Sequence, residues 1–239
     1  MSTKTLIAKH GRGLLGAIAL VSLFQSNASA QSNISPVNKW TWAENAGWVN
    51  WYDNGITSGA FVGDYVLSGF IWAENLGWVY LGDGSPDFGN SYSNATALDT
   101  GVNVAANGNL FGYAWAENAG WINFDTTIAG ALRARFIGCC TDGRLHGYAW
   151  GENVGWINLE SAAAFVSLAP ASIRRKADLD GNTLRNGLDA QGFIQVFLSP
   201  GTASHFDYCA ADVNSDGLVN PADVPLFVTC LLNGGCVCP

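Results

Sequence analysis

Apolar and polar positions alternate with a period of two in short, aromatic runs. Gly112-Tyr113-Ala114-Trp115 and Trp121-Ile122-Asn123-Phe124 are one such pair, and each predicts a strand. Between them, Ala116-Glu117-Asn118-Ala119-Gly120 predicts a turn, with Asn118 bonding nearby backbone and Gly120 taking a positive φ at little steric cost. The unit is therefore read as a β-hairpin. Its alternation places Trp115 and Trp121 on one face, and Ala114 and Ile122 on the other.

The hairpin occurs four times. Trp42-Ala-Glu-Asn-Ala-Gly-Trp48 returns as Trp72-Ala-Glu-Asn-Leu-Gly-Trp78, Trp115-Ala-Glu-Asn-Ala-Gly-Trp121 and Trp150-Gly-Glu-Asn-Val-Gly-Trp156, at spacings of 30, 43 and 35 residues. Lead-in segments around Leu67, Leu110 and Leu145 precede three of them. Unequal spacing argues against a β-helix of fixed rung length, and the segment is too short for a propeller of four full blades. The expected fold class is an all-β repeat domain over residues 31–160, with antiparallel hairpins in a sheet or sandwich. The rings are expected to fill its core, and a sugar-stacking platform is the alternative. Glu44, Glu74, Glu117 and Glu152 recur in the same turn. That repetition points to a structural role, because a glycosidase pair needs two carboxylates in different environments.

The period changes after Leu159. Residues 161–175 read as a last strand or short linker, with a boundary near Pro170. Beyond it, residues 176–239 predict a small all-α module of calcium loops and helices. Asp189–Leu198 and Asp223–Leu231 carry helical apolar stripes, the first read as Phe193, Ile194, Phe197 and Leu198. Each stripe follows an acidic loop, and the two loops are offset by 34 residues. Counted from Asp212, oxygen side chains fall at loop positions 1, 3, 5, 9 and 12 as Asp212, Asn214, Asp216, Asn220 and Asp223. Gly217 stands at position 6, and the Leu218 carbonyl at position 7 adds a further ligand. This spacing suits a hard cation that takes six to eight oxygens. The first loop repeats it with Asp178, Asp180, Asn182, the Leu184 carbonyl, Asn186 and Asp189, but has Thr183 at position 6 and Arg185 at the inward position 8. Two calcium sites are expected, the first weaker.

These loops and helices resemble a type I dockerin, a duplicated calcium-loop–helix module, over Lys176 to about Leu232. The resemblance implies calcium as cofactor and a cohesin-like module as partner, with the helices and loop ends as the recognition surface. The pairs Gly187-Leu188 and Pro221-Ala222, at loop positions 10 and 11, lack the hydroxyl pairs of many cellulosomal dockerins. The tryptophan hairpins are similar to repeats in secreted bacterial proteins, and that similarity implies no activity.

Composition narrows the picture. The formal net charge of −8 excludes a general nucleic-acid binder and an electrostatic hold on anionic membranes. Lys4, Lys9 and Arg12 precede an apolar run, Gly13 to Phe24, and Ala28-Ser29-Ala30 offers a cleavage site, so residues 1–30 read as a secretory signal. No other segment is long and apolar enough to span a bilayer. An exported chain would oxidise its six cysteines; the pair favoured here is Cys209 with Cys230, while Cys139 and Cys140 either bridge each other or pair with the C-terminal two. The resulting expectation is a secreted, non-catalytic protein whose calcium-binding module docks a β domain to a cohesin-like or surface partner. The alternatives are a polysaccharide binder and an accessory of a polysaccharide-degrading system.

Overall fold

A computed structural model describes residues 32–236, apart from 53, 54, 56–58, 88, 141 and 142. The expected signal segment, residues 1–30, lies outside the described residues. In chain order the strands are β1 (Ile34–Ala43), β2 (Gly47–Asn50), β3 (Ala60–Val62), β4 (Leu67–Ala73), β5 (Gly77–Gly82), β6 (Val102–Val104), β7 (Leu110–Ala116), β8 (Gly120–Asn123), β9 (Arg135–Ile137), β10 (Arg144–His146), β11 (Tyr148–Gly151), β12 (Gly155–Asn158) and β13 (Val166–Leu168). Three helices follow: α1 (Asp189–Leu198), α2 (His205–Ala211) and α3 (Asp223–Asn233).

Each tryptophan unit forms its hairpin: β1–β2, β4–β5, β7–β8 and β11–β12. The paired tryptophans stand directly opposite each other in every one, as in Trp42 with Trp48 and Trp115 with Trp121. The hairpins do not lie in an open sheet or a sandwich. They pair side by side, and β12 returns to β1 through Trp42 with Asn158 and Ala43 with Ile157, which closes an eight-stranded antiparallel barrel. The unequal spacing is absorbed outside the barrel wall: β3 and β6 extend β4 and β7, and β9, β10 and β13 continue from β1.

The tryptophans are not the core. Eight strands leave an interior just wide enough for side chains, and small or branched residues fill it in rings of four. Thr41, Ile71, Ala114 and Ala149 make one ring, and Val49, Val79, Ile122 and Ile157 the next; all are buried. The variable residue of each turn, Ala46, Leu76, Ala119 or Val154, closes one end. Trp51, Leu81, Phe124 and Leu159, three residues beyond each second tryptophan, close the other. Trp51 is the exception among the indoles, buried with its Nε1 donating to Thr41 Oγ1 at 2.9 Å. The space left inside is about 10 Å³, at most one water, so the barrel is a packed core and not a ligand cavity.

Two recurrent glycine positions, one in every turn and one in the lead-ins of three hairpins, explain why the repeat tolerates so little change. The turn glycines Gly47, Gly77, Gly120 and Gly155 all have positive φ, as the sequence predicts. The lead-in glycines Gly69, Gly112 and Gly147 also have positive φ, and a Cβ there would fall 2.2–2.4 Å from a backbone carbonyl oxygen of the adjacent segment. Only glycine fits that approach.

The repeated asparagines act between hairpins, not within their own turn. Asn45 Nδ2 donates to the Val154 carbonyl, Asn75 to that of Asn45, Asn118 to that of Leu76 and Asn153 to that of Ala119, at 2.9–3.3 Å. Every turn thus reaches back to the preceding one, and the first reaches the fourth, so a cyclic set of amide clamps reinforces closure. The four repeat glutamates are exposed at equivalent turn positions.

Residues 161–175 hold β13, which pairs with β1 and β10, and Arg174, whose amide donates to the Gly138 carbonyl. The C-terminal helices are joined to the barrel side through α2. Phe206 packs on Phe136 within the barrel-side core, and the His205 ring lies 5.3 Å from that of Phe136. His205 Nδ1 donates to the Ala106 carbonyl and its Nε2 accepts from the Gly138 amide, each at 2.9 Å. Burial holds its pKa down at about 4, so the ring is neutral. The Cys139–Cys209 disulfide fastens the same junction, and Cys230 bonds Cys236. The expected Cys209–Cys230 bridge is therefore replaced: Cys209 sits on α2, which packs on the barrel side where Cys139 lies. Cys140 is also disulfide-bonded.

Candidate metal centre

The two acidic loops fold alike because their side-chain oxygens organise the backbone in the same way. In the first, Asp178 Oδ2 accepts from the Thr183 amide at 3.1 Å, and Asp189 accepts from Leu179 and Asn186 at 2.7 and 2.8 Å. In the second, Asp212 Oδ2 accepts from Gly217 at 3.1 Å, and Asp223 accepts from Asn214 and Asn220 at 3.1 and 2.9 Å. Positions 3, 5 and 9 follow suit. Asp180 and Asn182 accept from the amides two residues on, as do Asn214 and Asp216. Asn186 and Asn220 do the same at the entry to each helix.

Backbone conformation is matched too. Positions 4 and 6 both have positive φ in both loops: Gly181 and Thr183 in the first, Ser215 and Gly217 in the second. The glycine has changed places. Thr183, a β-branched residue at φ 72°, is the more strained of the two non-glycine members. Val219 is buried as its inward position requires, while Arg185 Nε donates to the Lys176 carbonyl at 3.2 Å.

Each helix then carries its apolar residues to a shared interior. Phe193 and Phe227, both four residues beyond position 12, stack with centroids 4.0 Å apart. Val196 and Cys230 are buried with them. The α1 stripe is therefore Phe193, Val196 and the partly buried Phe197; Ile194 and Leu198, expected to belong to it, are 55% and 73% exposed. Spacing of i, i+3 and i+4 keeps one face inward, and Ile194 falls beside that face.

After this bonding, one oxygen in each loop is left over. Asp178 and Asp212, at position 1, are only 2% and 7% exposed, and the Oδ1 of each is buried without a hydrogen-bond partner among the described residues. Such a buried acceptor costs on the order of 1–3 kcal/mol if nothing meets it. Burial pushes both carboxyls up from the usual aspartate value. The Thr183 amide and Arg174 oppose this at Asp178, and Lys176 and the Gly217 amide oppose it at Asp212. In the first loop the carboxylate oxygens of Asp178, Asp180 and Asp189 lie within 4.8 Å of one another. Asp189 and Asp223 are fully buried at the base of their loops. The donor set is wholly oxygen, the set a hard divalent cation prefers.

Sequence reasoning missed two supporting residues. Lys176 is buried, and its Nζ donates to the carbonyls of Cys209 (2.9 Å) and Asp212, placing a cation at the C-terminal end of α2 and beneath the second loop. His205 locks α2 to the barrel side. Neither falls in a spacing motif, because both act on backbone groups brought near only by the fold. The chain matches no family model, no curated protein and no solved structure.

Proposed function

We propose that the two C-terminal loops bind calcium and that the ion-loaded helix pair docks the β barrel to a cohesin-like partner module. The observation that carries this reading is the pair of buried, unpartnered Oδ1 atoms on Asp178 and Asp212, 34 residues apart at equivalent positions in two loops of different sequence. A cation supplies the missing partner at both. In the first loop it would be held by Asp178, Asp180, Asn182, the Leu184 carbonyl, Asn186 and Asp189. In the second it would be held by Asp212, Asn214, Asp216, the Leu218 carbonyl, Asn220 and Asp223.

Calcium fits better than magnesium because loop carbonyls and amide oxygens in a flexible ring suit a large, irregular coordination sphere. Docking is supported by what the loops and helices leave uncovered. Leu184 and Leu218, at position 7 of the two loops, are 62% and 61% exposed, and Leu188, Ile194, Leu226 and Val228 are exposed nearby along the chain. These exposed apolar side chains on both loops and helices support a docking role for this part of the chain. Isothermal titration of chelator-treated full chain with calcium tests the ion; two sites are expected, with magnesium weaker. Absence of heat at millimolar calcium would overturn the reading. Retention of cohesin-bearing surface proteins by the calcium-loaded chain, released by chelator, tests the partner.

A further inference from the structure

The outer face of the barrel carries the feature that its core does not explain. Of the eight repeat tryptophans, seven are 39–46% exposed. Each hairpin adds an aromatic residue two positions before its first tryptophan: Trp40, Phe70, Tyr113 or Tyr148. That residue packs edge-on against the second tryptophan at 6.1–6.5 Å. The result is a belt of three rings per hairpin, fixed by their neighbours.

At one place the belt is walled into a cleft of about 540 Å³ between the first and second hairpins. Trp40, Trp48, Trp72 and Glu74 line it from the two hairpins, and Asn38 and Phe165 complete the lining. This lining is held in place. Glu74 Oε2 accepts from the Trp48 amide at 3.4 Å, and its own amide donates to the Trp48 carbonyl at 2.9 Å. Phe165 lies under the Arg144 guanidinium, 3.7 Å from its ring centre, at the end of a turn closed by Ser161 and Ala164. Trp40 and Trp48 meet at 78°, so the ring presenting its edge keeps its flat face uncovered by the other.

We propose that this cleft binds a neutral polysaccharide chain. Flat indole faces suit the C–H faces of sugar rings, and the Glu74 carboxylate and Asn38 amide supply hydrogen-bond partners for hydroxyls. An apolar helix laid here would leave those polar groups desolvated and unpaired, which is costly. The carboxylate and the net charge of −8 repel anionic sugars, acidic lipid and a second copy of this chain. The belt continues past β4 to a groove of about 1510 Å³ lined by Phe70, Tyr80 and Trp115, so a chain longer than the cleft has further rings to follow. The inference stands on the barrel alone and is independent of the proposed ion sites.

The test is affinity electrophoresis and tryptophan fluorescence titration of the full chain, in calcium and in chelator. The probes are xyloglucan, hydroxyethylcellulose and laminarin, with polygalacturonate as the anionic control. Retardation by at least one neutral glycan is expected in both buffers. It should weaken at least about tenfold in Trp40→Ala and Trp72→Ala and stay unchanged in Trp156→Ala, which belongs to the fourth hairpin and lines neither the cleft nor the groove. Should a variant fail to fold, protection of wild-type indoles from N-bromosuccinimide by the same glycan reads the site instead. No retardation by any neutral glycan, binding of polygalacturonate alone, or equal loss in all three variants overturns the proposal.

Discussion

The four tryptophan hairpins and the two aspartate loops are both built by repetition, but the repeats meet different needs. Each hairpin satisfies its neighbour: the asparagine of one turn bonds the carbonyl of another, and the last strand pairs with the first. Nothing in that ring calls for a further component. Each aspartate loop satisfies its own backbone and is left with one buried oxygen that no group among the described residues meets. A cyclic array with many repeats can close on itself. A duplicated loop folded around its own carboxylates concentrates negative charge, which Arg174 and Lys176 oppose from outside the loops.

The sharpest way to break this comparison is at the barrel. Gly112→Val places branched carbon where a Cβ already falls 2.4 Å from the Gly101 carbonyl oxygen, and should abolish folding. Loss of near-ultraviolet circular dichroism with and without calcium would show it; rescue by calcium would contradict a barrel that closes without ions. In the loops, Asp212→Asn should have opposite signs in the two buffers. In chelator it eases charge crowding around the buried position-1 oxygen and should raise the melting temperature. At calcium one hundredfold over the wild-type dissociation constant it forfeits about 2.7 kcal/mol of ligand stabilisation. Thermal unfolding in both buffers decides this, and a change of the same sign in each would count against the ion.

The junction between the halves should respond to acid. His205 takes up a proton at about 4 in the folded chain and near 6.5 when unfolded. Its contribution is therefore complete above pH 6.5 and is lost as pH falls from there to 4, by up to about 3 kcal/mol. His205→Asn should flatten that part of the stability profile, measured by denaturant unfolding at several pH values. Smaller effects test the equivalence of the repeats. Asn45→Ala and Asn118→Ala should each cost about 1 kcal/mol, and by similar amounts, because each removes one clamp of the same ring. Smallest of all, Thr183→Gly should stabilise the first loop by up to about 1 kcal/mol, seen as a modest rise in melting temperature, by relieving a left-handed β-branched residue.

Much of this was legible in the sequence because it is local. Period-two alternation found the hairpins, the turn glycines and the shared face of Ala114 and Ile122 opposite the tryptophans; the loop spacing found the oxygens that organise both acidic loops. What the sequence did not reveal depends on contacts between distant residues. Barrel closure rests on Ala43 meeting Ile157, and no local pattern encodes that meeting. The tryptophans look like core by composition, yet alternation fixes only that they share a face, not which face is inside. Once the ring closes, alanine and valine fill the narrow interior and the indoles must stand outside. The Cys139–Cys209 bridge was hidden for the same reason: its partners are 70 residues apart and meet only where α2 docks.

That bridge also governs how load would travel through the molecule. A disulfide, a buried imidazole and a phenylalanine pair cross one short seam, so α2 is fastened to the barrel side by three separate links. Whatever grips the tail then sets the bearing of the ringed outer wall. A pull on one end reaches the other as torque on a stiff body, not as slack taken up in a tether.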